Sequence, residues 1–182
     1  MSDAQNRSFE KITQDDLARL ATLALADFAS FFQRHQQWRP YADRLMFICL
    51  CQGAAGHYVQ PSHGTAHACE GGVNDFDVWG FFRHLPNARP FPPRRHGFQD
   101  FGPPKFGRNP DEPPRYTGRR VDVWGRSIEV LGAEEPKEAV RRYLQRGRTT
   151  SPHCLAERPV VVIWPSEQCG RIVWGGRERK AG

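Results

Sequence analysis

The chain lacks an apolar run long enough to cross a bilayer. The longest, LMFICLC from Leu45 to Cys51, has seven residues, against the roughly 20 that a membrane helix needs, so no membrane partner is expected. No Cys-x-x-Cys pair occurs. The five cysteines (Cys49, Cys51, Cys69, Cys154 and Cys169) are odd in number and have no framework spacing. The opening stretch MSDAQNRSFEKITQDD has no apolar signal region. Free thiols in a reducing, cytoplasmic compartment are the expectation. There is no Walker loop, helix-turn-helix or RNA-recognition signature. Apolar residues are also scarce, at 38% of 182 residues with a mean hydropathy of -0.66. Glycine and proline are plentiful instead, at 17 and 15, and long loops follow from that.

Acidic residues are outnumbered 20 to 26, for a formal net charge of +6. The imbalance is local. Between Phe81 and Arg120 nine basic residues face three acids, which accounts for the whole excess. Such a concentration favours phosphate-bearing partners; the plainer reading is a solvated loop that aids solubility. Nine of the fifteen prolines fall between Leu85 and Gly118. Proline at that density predicts a long, irregular, basic loop over 85–118. Phe91, Phe98, Phe101, Phe106 and Tyr116 are interleaved with the prolines. A disordered linker seldom carries so many aromatics, so the loop is expected to fold back and pack.

The remaining pattern predicts one domain over 13–175, with disordered tails at 1–12 and 176–182. Thr13 and Asp16 form a capping-box pattern ahead of a helix that ends near Gln36. Its inner face is Leu17, Leu20, Ala24, Phe28 and Phe31 or Phe32. Arg44–Cys51 reads as a buried strand broken by Gly53. Ala54–Val59 reads as a short helix, Pro61–Gly72 as loop and Asp75–Phe82 as a second strand. Arg120–Leu131 is a third, with a bend placed at Gly125. Glu134–Gln145 is a helix with Ala139, Val140, Tyr143 and Leu144 inside. Arg158–Trp164 and Arg171–Trp174 are strands that could pair across a short turn. The fold class expected is a single α/β (α+β) domain, with a mixed sheet of about 4–5 strands and flanking helices.

Two segments carry carboxylates inside strand-like sequence: NDFDVWG at 74–80 and RVDVWG at 120–125. Alternation puts Asp75 and Asp77 on one face. Asp122 precedes a tryptophan by two residues, as Asp77 does, so pairing of the two strands would bring all three acids together. Like charges at that spacing repel, and a divalent cation such as Mg²⁺ is the usual compensation. Three carboxylates around such ions suit phosphoryl and nucleotidyl transfer. The plainer reading is acids on the wet face of an antiparallel sheet.

FICLCQGAAGHYV, NDFDVWGFF and RRVDVWG together resemble the core of the DNA polymerase beta-like nucleotidyltransferase superfamily, over Arg44 to Val130. That superfamily has a glycine-serine turn after its first core strand, an acid-x-acid pair on the second and a third acid on a later strand. The resemblance implies that Asp75, Asp77 and Asp122 are the catalytic, metal-holding carboxylates for Mg²⁺ or Mn²⁺. It implies transfer of a nucleoside monophosphate from a nucleoside triphosphate to an unidentified acceptor, for which nucleic acid and protein are candidates. Gly53 matches the turn glycine, and Ala54 stands where the family usually has serine. Backbone N–H groups at Gly53–Ala55 could still meet phosphate at a helix start. Arg94, Arg95, Lys105 and Arg108 become candidates for gripping triphosphate or acceptor. The alternative is an inactive nucleotidyltransferase-like module that binds nucleic acid or a protein through its basic loop.

Cys51, His57, His63, His67 and Cys69 are clustered in sequence, but their spacings match no zinc finger or ribbon, and no zinc is expected. Trp79 and Trp124 could flank a base; packing is the weightier reading.

Overall fold

The first helix begins where the capping box puts it. The Thr13 backbone N–H donates to Asp16 Oδ2 at 2.7 Å, and the Asp16 N–H donates back to Thr13 Oγ1 at 3.3 Å. In this computed structural model, which describes residues 11–59, 73, 75–91, 95–102, 118–146 and 154–177, helix α1 spans Gln14–Arg34. Its apolar stripe is buried as the spacing requires, with Leu17, Leu20 and Ala24 fully inside. A 3-10 segment, Gln36–Arg44, then leads into the sheet. Ile12, expected in a disordered tail, is buried in the core. Residues 1–10 and 178–182 of the two expected tails lie outside the described residues.

The strands are β1 (Leu45–Cys51), β2 (Phe76–Arg83), β3 (Arg95–Asp100), β4 (Arg120–Ile128), β5 (Val160–Trp164) and β6 (Ile172–Trp174). Helix α2 (Gln52–Val59) follows β1, and α3 (Pro136–Gln145) follows β4. The described residues form one mixed α+β domain with a six-stranded sheet in the order β3-β4-β2-β1-β5-β6. Only β2 and β4 pair in parallel; the other four pairings are antiparallel. β5 and β6 pair as expected.

Six strands replace the four or five expected because β3 forms inside the predicted loop. The prolines crowd both ends of that stretch and leave Arg94–Gly102 free of them. A proline-free window of that length can donate a full ladder of hydrogen bonds. Phe91 and Phe101 are buried, as expected of a segment that packs back, whereas Phe98 of the same set is exposed; Phe106 and Tyr116 lie outside the described residues. Phe91 sits within 5.7 Å of the ring centroids of Phe31, Phe32, Trp38, Tyr41 and Phe82. β4 continues through Gly125: pairing with β2 runs without a slip from Phe76–Val121 to Arg83–Ile128.

Alternation sends the strand residues to two cores. Ile48, Leu50, Val78, Val121 and Val123 face α1. Cys49, Cys51, Trp79, Phe81 and Val162 face α3 through Ala139, Val140 and Leu144. No helix among the described residues is long and apolar enough to cross a membrane.

Candidate carboxylate site

The two DVWG stretches lie side by side. The parallel register sets Asp77 beside Asp122, Val78 beside Val123, Trp79 beside Trp124 and Gly80 beside Gly125. The indoles of Trp79 and Trp124 stack at 5.6 Å with 9° between their planes. Cys51 is the partner of Asp77 on β1, and Phe98 is the partner of Asp122 on β3. Cys51, Asp77, Asp122 and Phe98 therefore form one row across four strands, on the α3 face. Neighbouring strands are about 4.8 Å apart, so the Asp77 and Asp122 carboxylates start from close backbone positions.

The row ends β1 at an unusual turn. Gln52 opens α2 with φ +57°, a left-handed conformation that non-glycine residues seldom adopt and that tends to persist where the surrounding structure enforces it. The expected turn glycine, Gly53, instead lies inside the first turn of α2.

Burial pushes the Asp77 carboxyl from 3.8 up to about 7, with the charges of Asp75 and then Asp122 adding to it. Asp77 is thus close enough to each of the other two acids to feel its charge. The Trp124 indole and Arg120 pull the other way. The indole N–H makes no hydrogen bond of good geometry, so its pull is a weak one. Asp122 is 7% exposed and its carboxyl is also raised by burial, against the opposing effect of Arg120. Arg120 Nε donates to Asp122 Oδ1 at 2.7 Å. Arg120 also stands over the Phe98 ring, 5.7 Å from its centroid. Phe98 is 52% exposed, one of three large apolar residues left exposed among the described residues.

Carboxylate oxygens are hard ligands suited to Mg²⁺ or Mn²⁺, and a partly buried set in which Asp77 is repelled by both other acids is relieved by a cation. The chemistry of the donors therefore fits such an ion. Among the described residues, however, no group of three or more His, Cys, Asp or Glu side chains is placed to hold a metal ion.

The other candidates fall differently. Ala54 is 2% exposed and its methyl packs in the α1-side core, so only its backbone could meet a phosphate. Arg95 opens β3 opposite Trp124. Arg94, Lys105 and Arg108 lie outside the described residues, as do His63, His67 and Cys69. Trp79 is 5% exposed and packs with the α3-side core, so it flanks no base. A cavity of about 460 Å³ lined by Phe28, Phe32, Leu45 and Phe82 lies on the α1 side. Leu45 and Phe82 mark the opposite ends of β1 and β2 from Cys51 and Asp77. That cavity is therefore separate from the carboxylates. Sequence reading missed Gln52, Arg120 and Phe98. Arg120 was within reach, since it precedes Asp122 by two residues and so shares its face.

Comparison of the chain with known protein families, with curated proteins and with solved structures finds no match.

Proposed function

We propose that the protein is a metal-dependent nucleotidyltransferase that moves a nucleoside monophosphate from a nucleoside triphosphate to an acceptor hydroxyl. The observation that carries this reading is the parallel register of β2 and β4. It aligns Asp77 with Asp122, beside Asp75 and next to the turn that ends β1. Asp75, Asp77 and Asp122 would hold Mg²⁺ or Mn²⁺, which when bound neutralises phosphate charge and favours the attacking hydroxyl. The backbone at the start of α2 would approach the phosphates. Asp122, held by Arg120, would help take up the acceptor's proton. The nucleotidyltransferase-like fold belongs to the same proposal.

A second reading has its own support. The buried Ala54 offers no hydroxyl to a phosphate, which suits an inactive module that binds nucleic acid or a protein through the basic 85–118 segment. A thermal-shift panel separates the two. ATP, GTP, CTP and UTP are each tested with Mg²⁺, with Mn²⁺ and with EDTA, on wild type and on Asp75→Asn/Asp77→Asn. A ligand at about 100 times its Kd adds roughly 2.7 kcal/mol to stability. The transferase reading expects a metal-dependent shift that the double variant loses. No shift with any triphosphate, together with salt-sensitive binding of nucleic acid that ignores Mg²⁺, would replace it with the module.

A further inference from the structure

We infer that Phe98 is a stacking platform for the nucleobase of the triphosphate; this rests on the nucleotidyltransferase reading and adds a base-recognition residue to it. Three observations converge. Phe98 occupies the same sheet row as Asp122 and Asp77, and on the same face. One strand spacing separates it from Asp122 and two, about 10 Å, separate it from Asp77. A ribose can bridge that interval between a phosphate at the carboxylates and a base on the ring. Next, Phe98 is 52% exposed, although Asp122 beside it in the row is buried. A half-exposed apolar ring beside a polar cluster is a surface that a flat, partly apolar ligand covers well. Finally, Arg120 stands over the ring while donating to Asp122. One guanidinium thus ties the aromatic surface to the carboxylates and adds positive charge between them, where phosphate oxygens would pass.

The platform is also held firmly. β3 is the sheet edge, yet its other face is clamped to α1. Gln99 Nε2 donates to Asp27 Oδ1 at 2.9 Å, and a Cβ at Gly97 would collide with the Asp27 carboxylate. Recognition surfaces on strands fixed in this way are better placed than those on loops. Aromatic stacking is tolerant of base identity, because every base has a π-face. Phe98 would therefore contribute affinity for any nucleotide rather than select one.

The test compares binding of ATP with binding of inorganic tripolyphosphate, which has the phosphates and no base. Both are titrated with Mg²⁺ into wild type, Phe98→Ala, Phe98→Trp and Asp75→Asn/Asp77→Asn, with circular dichroism confirming the fold of each. Phe98→Ala should weaken ATP about ten-fold and leave tripolyphosphate within about two-fold, with Phe98→Trp restoring ATP. The platform is overturned by unchanged ATP affinity in Phe98→Ala, or by equal losses for ATP and tripolyphosphate. Normal ATP binding by Phe98→Ala with none by the aspartate variant sinks only the platform. Failure of wild type to bind either compound removes the nucleotide reading and the platform with it.

Discussion

Replacing Asp77 by Asn removes a carboxyl that the fold holds at about 7 instead of 3.8, through burial first and then Asp75 and Asp122. At about 1.4 kcal/mol per tenfold change in proton affinity, the charged form is disfavoured by about 4 kcal/mol in the folded state. Relaxation around a carboxylate at the sheet end reduces the net effect, to about 2–4 kcal/mol. The sign follows from proton counting. Between 3.8 and 7 the folded chain binds more protons at this group than the unfolded chain does. Its contribution is therefore fully present below 3.8 and is lost as pH rises through 7. Asn is neutral throughout and suffers no such loss. Urea unfolding in the presence of EDTA reads the difference. The Asn variant should gain on wild type by about 2 kcal/mol between pH 5 and pH 8, or about 4–8 °C in Tm for a chain of this size. Asp122 is raised as well, but it titrates in both proteins and largely cancels. A gap that stays constant with pH, or closes, would refute the electrostatic reasoning. Saturating Mg²⁺ at pH 8 should restore wild type by up to about 2.7 kcal/mol and the Asn variant by less. An equal response in both would detach these carboxylates from a cation.

Three further perturbations test the framework of the site. Gly80→Ala places a Cβ against the Phe28 ring; it should cost about 1–3 kcal/mol in urea denaturation, because the ring must give up its contacts with β2 and shift toward the cavity it lines. At Gln52, with φ +57°, glycine should be neutral or stabilising by up to about 1 kcal/mol, whereas valine should destabilise by more than that. Phe91→Ala should lower stability by about 3 kcal/mol or more, since Phe91 is 1% exposed within its aromatic cluster. A thermal melt that shows no loss would place the Pro-rich segment outside the cooperative unit.

Elements with a local cause were legible in the chain. The Thr13 and Asp16 side chains, together with a helical apolar stripe, specify α1 with contacts no more than four residues away. β1 and β5 are continuous apolar runs, and α3 has its inner face at Ala139, Val140 and Leu144. The Pro-rich stretch misled because proline density averages over a window, whereas a strand needs only a short proline-free interval. That interval became β3 only because β4 offered it a partner and Asp27 on α1 accepted from Gln99. The turn after β1 was expected at Gly53, and the positive φ falls one residue earlier, on Gln52, a position no residue preference indicates.

The site divides in the same way. That Asp77 and Asp122 share strand parity with their neighbouring tryptophans was written in the sequence, since alternation is a property of the extended backbone alone; Asp75, expected inside the strand, stands one residue before β2. Whether they meet depended on pairing and register. A slip of one residue would have put Asp122 on the α1 face, away from Asp77. The raised carboxyl of Asp77, the Arg120 link to Asp122 and the exposed ring of Phe98 arise only when β2, β3 and β4 are assembled. Spacing along the chain thus determined which acids could act together. The sheet decided that they are neighbours, because burial and charge repulsion act through space and the chain separates Asp77 from Asp122 by a long excursion.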